Sequence, residues 1–132
     1  MSGTQIDPEV LELAGRVFDL ARAGSTEELA AYVDAGVPAN LTNDKGDSLL
    51  ILAAYHQHVG TVAALLERGA DHARINDRGQ TALAAAVFRQ SGEAVQHLLA
   101  AGADPDAGEP SARATAVFFG LTAMTDLLGG HP

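Results

Sequence analysis

No cysteine occurs among the 132 residues. That excludes disulfides, thiol nucleophiles and thiolate metal sites. Basic residues are scarce: 8 Lys and Arg face 17 Asp and Glu, for a formal net charge of −9. Nucleic acid calls for a basic footprint, and so does an anionic membrane surface, so both partners are disfavoured. No apolar run approaches transmembrane length. The opening MSGTQIDPEV has neither a basic n-region nor an apolar h-region. No signal peptide is expected, and the cytoplasm is the default compartment. Catalytic signatures are missing as well. There is no G-x-G-x-x-G, no phosphate loop and no Ser/His/Asp set with a supporting motif. Asp104-Pro105-Asp106 lacks the other ligands of a calcium loop. The expectation is a non-enzyme without a cofactor.

What the chain does have is apolar content and a period. Hydrophobic residues make up 47% of it, which argues against disorder, and much of that content is alanine, suited to short helices in close approach. Gly46–Ala70 reads GDSLLILAAYHQHVGTVAALLERGA, and Gly79–Ala103 reads GQTALAAAVFRQSGEAVQHLLAAGA, 33 residues later. The offset holds without a gap at Asn43/Asn76, Asp44/Asp77, Ser48/Thr81, Leu50/Leu83, Val62/Val95, Leu65/Leu98, Leu66/Leu99, Gly69/Gly102 and Asp71/Asp104. A fixed period of this size means stacked supersecondary units.

The period and these residues resemble the ankyrin repeat. That pattern has a turn with Gly, a T-P-L-H-x-A-A element opening a short helix, and a second helix ending L-L-x-x-G-A-D. One unit matches it at Gly46, Ser48, Leu50, Ala53, Ala54, Leu65, Leu66, Gly69, Ala70 and Asp71. The next matches at Gly79, Thr81, Leu83, Ala86, Leu98, Leu99, Gly102, Ala103 and Asp104. The resemblance implies an all-α solenoid of four helix-turn-helix units, two full repeats between two caps, with protruding turns. It also extends to small free-standing bacterial members of the family.

Taken in order, residues 1–6 are expected to be a loose tail, and residues 7–132 one domain: an N-terminal cap over 7–42, repeats over 43–75 and 76–108, and a C-terminal cap over 109–132. Asp7-Pro8-Glu9 reads as a helix start. Val10, Leu13, Ala14, Val17, Phe18 and Ala21 follow helical spacing as its buried stripe, with Glu9, Glu12, Arg16 and Asp19 on the wet side. Gly24 stops this helix. Ser25 to Glu28 reads as a capping box for the next, which buries Leu29, Tyr32 and Val33. Ser48 is expected to cap a helix over Leu49–His56, and Val59–Arg68 follows. Thr81 caps the next first helix, and Ser91 caps Gly92–Ala101. Ser111–Phe119 and Leu121–Leu128 form the last pair, ending at Gly129-Gly130. The connection after Gly102 is shorter, so the protruding turn is expected to be missing there. Ala116 is placed opposite Ala86.

Departures from the pattern carry expectations too. Leu49 and Ile51, then Ala82 and Ala84, replace the Pro and His of T-P-L-H. The hydrogen bonds that this His supplies between repeats in the family must give way to apolar packing. Gln57 and Gln90 replace a glycine between paired helices and face a positive φ. Modest stability follows from having only two full repeats.

The resemblance further implies binding of another protein through the concave face, built from turn tips and the exposed side of each first helix. Position by position, this gives Asp44, Lys45, Asp47, Asp77, Arg78 and Gln80 on the turns, Tyr55, His56, Phe88 and Arg89 on the helices, and Arg68 near the end of a second helix. Arg22, Tyr55 and Phe88 recur at 33-residue steps and should stack. With Ala112, Ala116 and Phe119 packed inward, Phe118 continues that row on the concave side. Aromatic residues flanked by arginine are the composition of a binding hot spot. Five of the eight basic residues fall on this side, pointing to a partner segment of apolar and acidic character. The plainer readings are rings that merely cover helix ends and solvated basic tips. His58 matches a structural histidine of the family. An accessory subunit of an enzyme, or a metal or small-ligand site on His56 and His58, are the alternatives. The apolar AVFFGLTAMTDLL packs on the preceding repeat, or, with Val117, Leu121 or Met124 exposed, supports a weak homodimer in place of a monomer.

Overall fold

The structure, a computed structural model, describes residues 8–129. The loose tail over 1–6, the Asp7 cap, Gly130 and His131 lie outside the described residues. Eight helices follow one another among those described: α1 Pro8–Ala23, α2 Thr26–Asp34, α3 Leu49–Tyr55, α4 Val59–Glu67, α5 Ala82–Phe88, α6 Gly92–Ala100, α7 Ala112–Phe118 and α8 Thr122–Leu127. They pair as α1–α2, α3–α4, α5–α6 and α7–α8, and the pairs stack in two layers. α1, α3, α5 and α7 form one layer, and α2, α4, α6 and α8 the other.

The first-layer helices are seven residues long in the last three units, too short to be stable alone. Burial on every side makes them hold. Leu49 to Ala54 and Ala82 to Val87 are buried without exception, so α3 and α5 each have a unit packed on both faces. The N-terminal ends of these helices are closed by hydroxyls. Ser48, Thr81 and Ser111 sit in extended backbone and accept from the amides of Ile51, Ala84 and Ala114 at 3.0–3.1 Å, satisfying an otherwise orphan donor.

The second-layer helices start differently, which corrects two expectations. Ser25 and Ser91 make no side-chain cap bond. Their ψ angles of 73° and 88° turn the hydroxyl away from the first-turn amides. The Ser25–Glu28 capping box therefore does not form. Glu28 instead lies 3.6 Å from Arg16 on α1, and the Thr26 and Thr61 hydroxyls meet at 2.6 Å between α2 and α4. Val10, assigned to the buried stripe of α1, is also exposed: with Leu13, Ala14 and Val37 it lines an open hollow and not packed core.

Each first helix passes to its second through one left-handed residue. Gly24, Gln57, Gln90 and Gly120 take φ of 75°, 64°, 59° and 65°, so both glutamines adopt the expected positive φ. The register of the last unit follows from its backbone: Leu121 N–H bonds Ala116 O as Ser91 N–H bonds Ala86 O and His58 N–H bonds Ala53 O. Ala116 thus stands opposite Ala86.

Neighbouring units are tied at both ends of the first helices. At the turns, Asp77 N–H donates to Lys45 O at 3.0 Å and Glu109 N–H to Gly79 O at 2.8 Å. The last protruding turn, expected to be missing, is present in shortened form: Gly108 and Ser111 bridge across two residues, where Thr42 bridges Ser48 in the longer turn. Asn76 organises the middle of this ladder. Its Oδ1 accepts from the amides of Arg78 and Gln80, and its Nδ2 reaches Asp47 Oδ1 at 2.9 Å in the preceding turn. Ile51 and Ala84 are buried at the former histidine positions, so apolar packing and this turn ladder together replace the missing tie. At the other end, His58 Nε2 bonds Arg22 O at 2.7 Å. A carbonyl only accepts, so Nε2 carries the proton there.

Candidate functional site

The residues that end the first helices come together on one side of the stack. Tyr55 and Phe88 lie face to face, with centroids 6.4 Å apart and planes 10° from parallel. Phe88 meets Phe119 at 5.5 Å, and Phe119 meets the edge of Phe118 at 4.9 Å. The four rings form one unbroken row across three units. It is open to solvent: Phe88 is 41% exposed, Phe119 53% and Phe118 81%.

Phe119 corrects the expectation that it packs inward. Ala112 and Ala116 are fully buried, but Phe119 is the C-cap of α7, in the register position of Arg89 and His56. Those two also close their helices on this side. The Arg89 guanidinium lies 4.9 Å from the Tyr55 ring centroid, so Arg89 over Tyr55 and Phe119 over Phe88 are the same diagonal step, each reaching one unit back. Arginine over an aromatic face adds a cation–π attraction. Phe118 stays at the outer end of the row, touching Phe119 and not Phe88 in the ring contacts above.

Between the turns and α3 a recess of about 160 Å³ opens, lined by Asp47, Ile51, Leu52, Tyr55 and His56, and closed by Arg78 and Gln80 of the next turn. Five of these were assigned to the binding side from the sequence. Ile51 and Leu52 were not, because they read as core; they are buried side chains that also floor the recess. A second hollow of about 440 Å³ lies at the last unit, lined by Pro110, Ala114, Thr115, Phe118 and Phe119. Its register with the other units was the signal that could have found it.

The remaining sequence-assigned residues divide. Lys45 and Arg78 stand exposed on the turns with Asp44 and Asp77. Asp47 is buried, its Oδ1 held by Asn76, so it supports the turn from within. Arg22 pairs with Asp19 at 2.9 Å on α1. Arg68 is not brought to the row. Its Nε and Nη2 reach the Asp34 carboxylate at 2.9 and 3.3 Å and its Nη1 the Ala64 carbonyl, between the ends of α2 and α4 in the second layer.

Charge sorts the same way. Arg16, Arg22, Arg68, Arg74 and Arg113 each lie within 4 Å of a carboxylate. Lys45, Arg78 and Arg89 are in no ion pair among the described residues, and all three sit with the row or its turns. Partial burial lowers the His56 pKa from its ordinary value, and the charges of His58, Arg89 and Arg22 lower it further. Both effects favour the neutral imidazole. Its ring lies edge-on to Tyr55 at 5.3 Å and stacks on His58 at 6.3 Å. Among the described residues, no group of three or more His, Asp or Glu side chains is arranged to hold a metal ion. No helix among them is long and apolar enough to cross a membrane.

A stack of helix pairs with short protruding turns and an open aromatic face defines a helical-repeat solenoid. The chain belongs to the ankyrin repeat family: its family model, ankyrin repeats in three copies, matches residues 18–109, from within α1 to the last turn. The chain is also similar to a curated protein of Pseudomonas aeruginosa named as an ankyrin repeat protein, 48% identical over 58 residues. That stretch covers 44% of this chain and 34% of the relative, so the chain spans about a third of the relative's length. Ankyrin repeats are generally protein-interaction modules and typically non-catalytic.

Proposed function

We propose that the chain binds a segment of a partner protein along its concave face, without catalysis of its own. The observation that carries this is the row Tyr55–Phe88–Phe119–Phe118, exposed at its three phenylalanines and half-buried at Tyr55, with Arg89 laid over Tyr55. Aromatic and arginine anchors held in place by packing lose little freedom on binding, which is what concentrates affinity at hot spots. The contact surface is this row together with Arg22, His56, Lys45, Asp44, Asp77, Arg78 and Gln80. A cytoplasmic setting goes with this reading, and cell fractionation checks it.

The test is affinity capture from native cell lysate with the wild type and a Tyr55→Ala, Phe88→Ala double variant, after thermal melts show both folded. A protein held by the wild type and lost by the variant supports the reading. A protein held equally by both moves the site off the row, and no captured protein at all removes its support.

A second reading has its own observation. Val117 occupies the register position of Ala54 and Val87, which are fully buried, yet it is 66% exposed, while Met124 is buried. Among the described residues the last unit thus presents an exposed stacking face, suited to weak self-association. Sedimentation of the wild type against Val117→Ser would show it as a concentration-dependent dimer lost in the variant.

A further inference from the structure

The two hollows are one site seen twice. Pro110, Ala114, Thr115, Phe118 and Phe119 each stand 63 residues after Asp47, Ile51, Leu52, Tyr55 and His56 in the sequence. These two sets line the second and the first hollow respectively, position for position. The fold therefore makes the same notch between turn and first helix in the second and fourth units, and Phe88 bridges them, with its ring between Tyr55 and Phe119.

The side chains have made the notches chemically different. In the second unit the notch carries His56, with Arg78 closing it and Arg89 resting on Tyr55. Asp47 also lines it, but one of its oxygens is occupied by Asn76. Arg78 and Arg89 are in no ion pair among the described residues, so two cations stand by the notch, with Asp47 half-satisfied inside it and the exposed Asp77 beside Arg78 on the turn. In the fourth unit every polar position has become apolar or small: Asp47 is replaced by Pro110 and His56 by Phe119, and the notch opens to about 440 Å³. The first offers cations and a histidine, and the second an apolar wall.

The stack also sets their separation. Packed helices lie about 8–10 Å apart, so two unit steps amount to about 16–20 Å. An extended chain advances about 3.3 Å per residue. We propose that the partner segment is extended and carries one Asp or Glu and one large apolar side chain about five or six residues apart. The acid seats between His56 and Arg78, and the apolar group against Phe118 and Phe119. This inference rests on the concave-face reading above and specifies its ligand.

The test is selection from a displayed library of random peptides of about a dozen residues, followed by anisotropy titrations of synthetic peptides with the two anchors at varied spacing. The expected pool carries an acid and an aromatic or leucine at one separation. Moving either anchor by two residues should weaken binding about tenfold. Arg78→Glu should switch the preference at the acidic position to Lys or Arg. Phe118→Ala should erase the apolar preference and leave the acidic one. Both side chains are exposed, so both variants keep the fold. Enrichment with no fixed spacing overturns the proposal, as does an acid preference that survives Arg78→Glu. If no peptide is enriched while lysate capture still depends on Tyr55 and Phe88, the two-anchor ligand falls and concave-face binding stands.

Discussion

At the residue scale the stack separates side chains of the same kind by what the backbone lets them do. Ser48, Thr81 and Ser111 hold ψ near 170°, which aims each hydroxyl at the amide three residues on. Ser25 and Ser91 stand at equally plausible starts in the sequence, yet their ψ forbids the bond. Replacing Ser48, Thr81 or Ser111 by Ala should each cost about 1 kcal/mol in urea unfolding. Ser25→Ala should cost only a few tenths, since no cap bond is there to lose. Equal costs at Ser25 and Ser48 would mean that the caps do not distinguish the two layers. The sequence shows a serine before a helix pattern but not ψ; this is why Ser25 and Ser91 read as caps and are not. His56 offers a second check. Desolvation lowers its pKa first, with His58, Arg89 and Arg22 adding to it. Arg89→Ala removes one positive neighbour, so the His56 ring should titrate higher in NMR than in the wild type, yet still below the ordinary histidine value. An unchanged titration would place Arg89 too far from the ring to be felt.

At the scale of elements, helices held mainly by their neighbours depend on the few atoms that set unit spacing. Gly24 is one. Its φ is +75°, and a β-carbon built on it would lie 2.5 Å from His58 Nδ1. That same ring donates to Arg22 O and so fastens α3–α4 to the end of α1. Gly24→Ala should therefore strain the backbone and displace the ring, costing roughly 1–3 kcal/mol. The steric part should be relieved on the background of His58→Ala, so the two losses will add to less than their sum in a double-variant cycle. Simple additivity would show that the ring does not press on this turn. The elements themselves were legible beforehand because apolar spacing and the period mark each helix to within a residue or so at its ends. The layer contacts were less legible, since they rest on small-residue complementarity. The last turn was misjudged on length: a shorter connection read as a missing turn, whereas Glu109 docks on Gly79 and keeps the ladder going. The row was legible as far as the register was exact. Tyr55 and Phe88 follow from the 33-residue offset, while Phe119 was lost because an aromatic residue after two buried alanines reads as core.

At the scale of the molecule, the net charge is strongly negative while the cations that lack an ion pair gather by the row, and salt can separate their effects. The chain carries −9, so compaction works against self-repulsion. Five arginines are tied to carboxylates away from the open turns or along α1, while Lys45, Arg78 and Arg89 remain in no ion pair on the concave side among the described residues. A partner with an acidic anchor is drawn to those three and repelled by the rest of the surface. Screening lengths shrink from about 10 Å at 0.1 M salt to about 3 Å at 1 M. Over that range self-repulsion fades, so the melting temperature should rise in sodium chloride. Attraction between the notch and the acid fades too, so affinity for the two-anchor peptide should fall. The apolar anchor is insensitive to screening, so binding should weaken to a plateau and not vanish. In Arg78→Glu the melting temperature should keep its rise while the affinity for the acidic peptide loses its fall. Parallel thermal melts and anisotropy titrations at four salt concentrations measure both. Affinity that climbs with salt in the wild type would mean that the row binds through its rings alone, with the unpaired cations serving only as solvated tips.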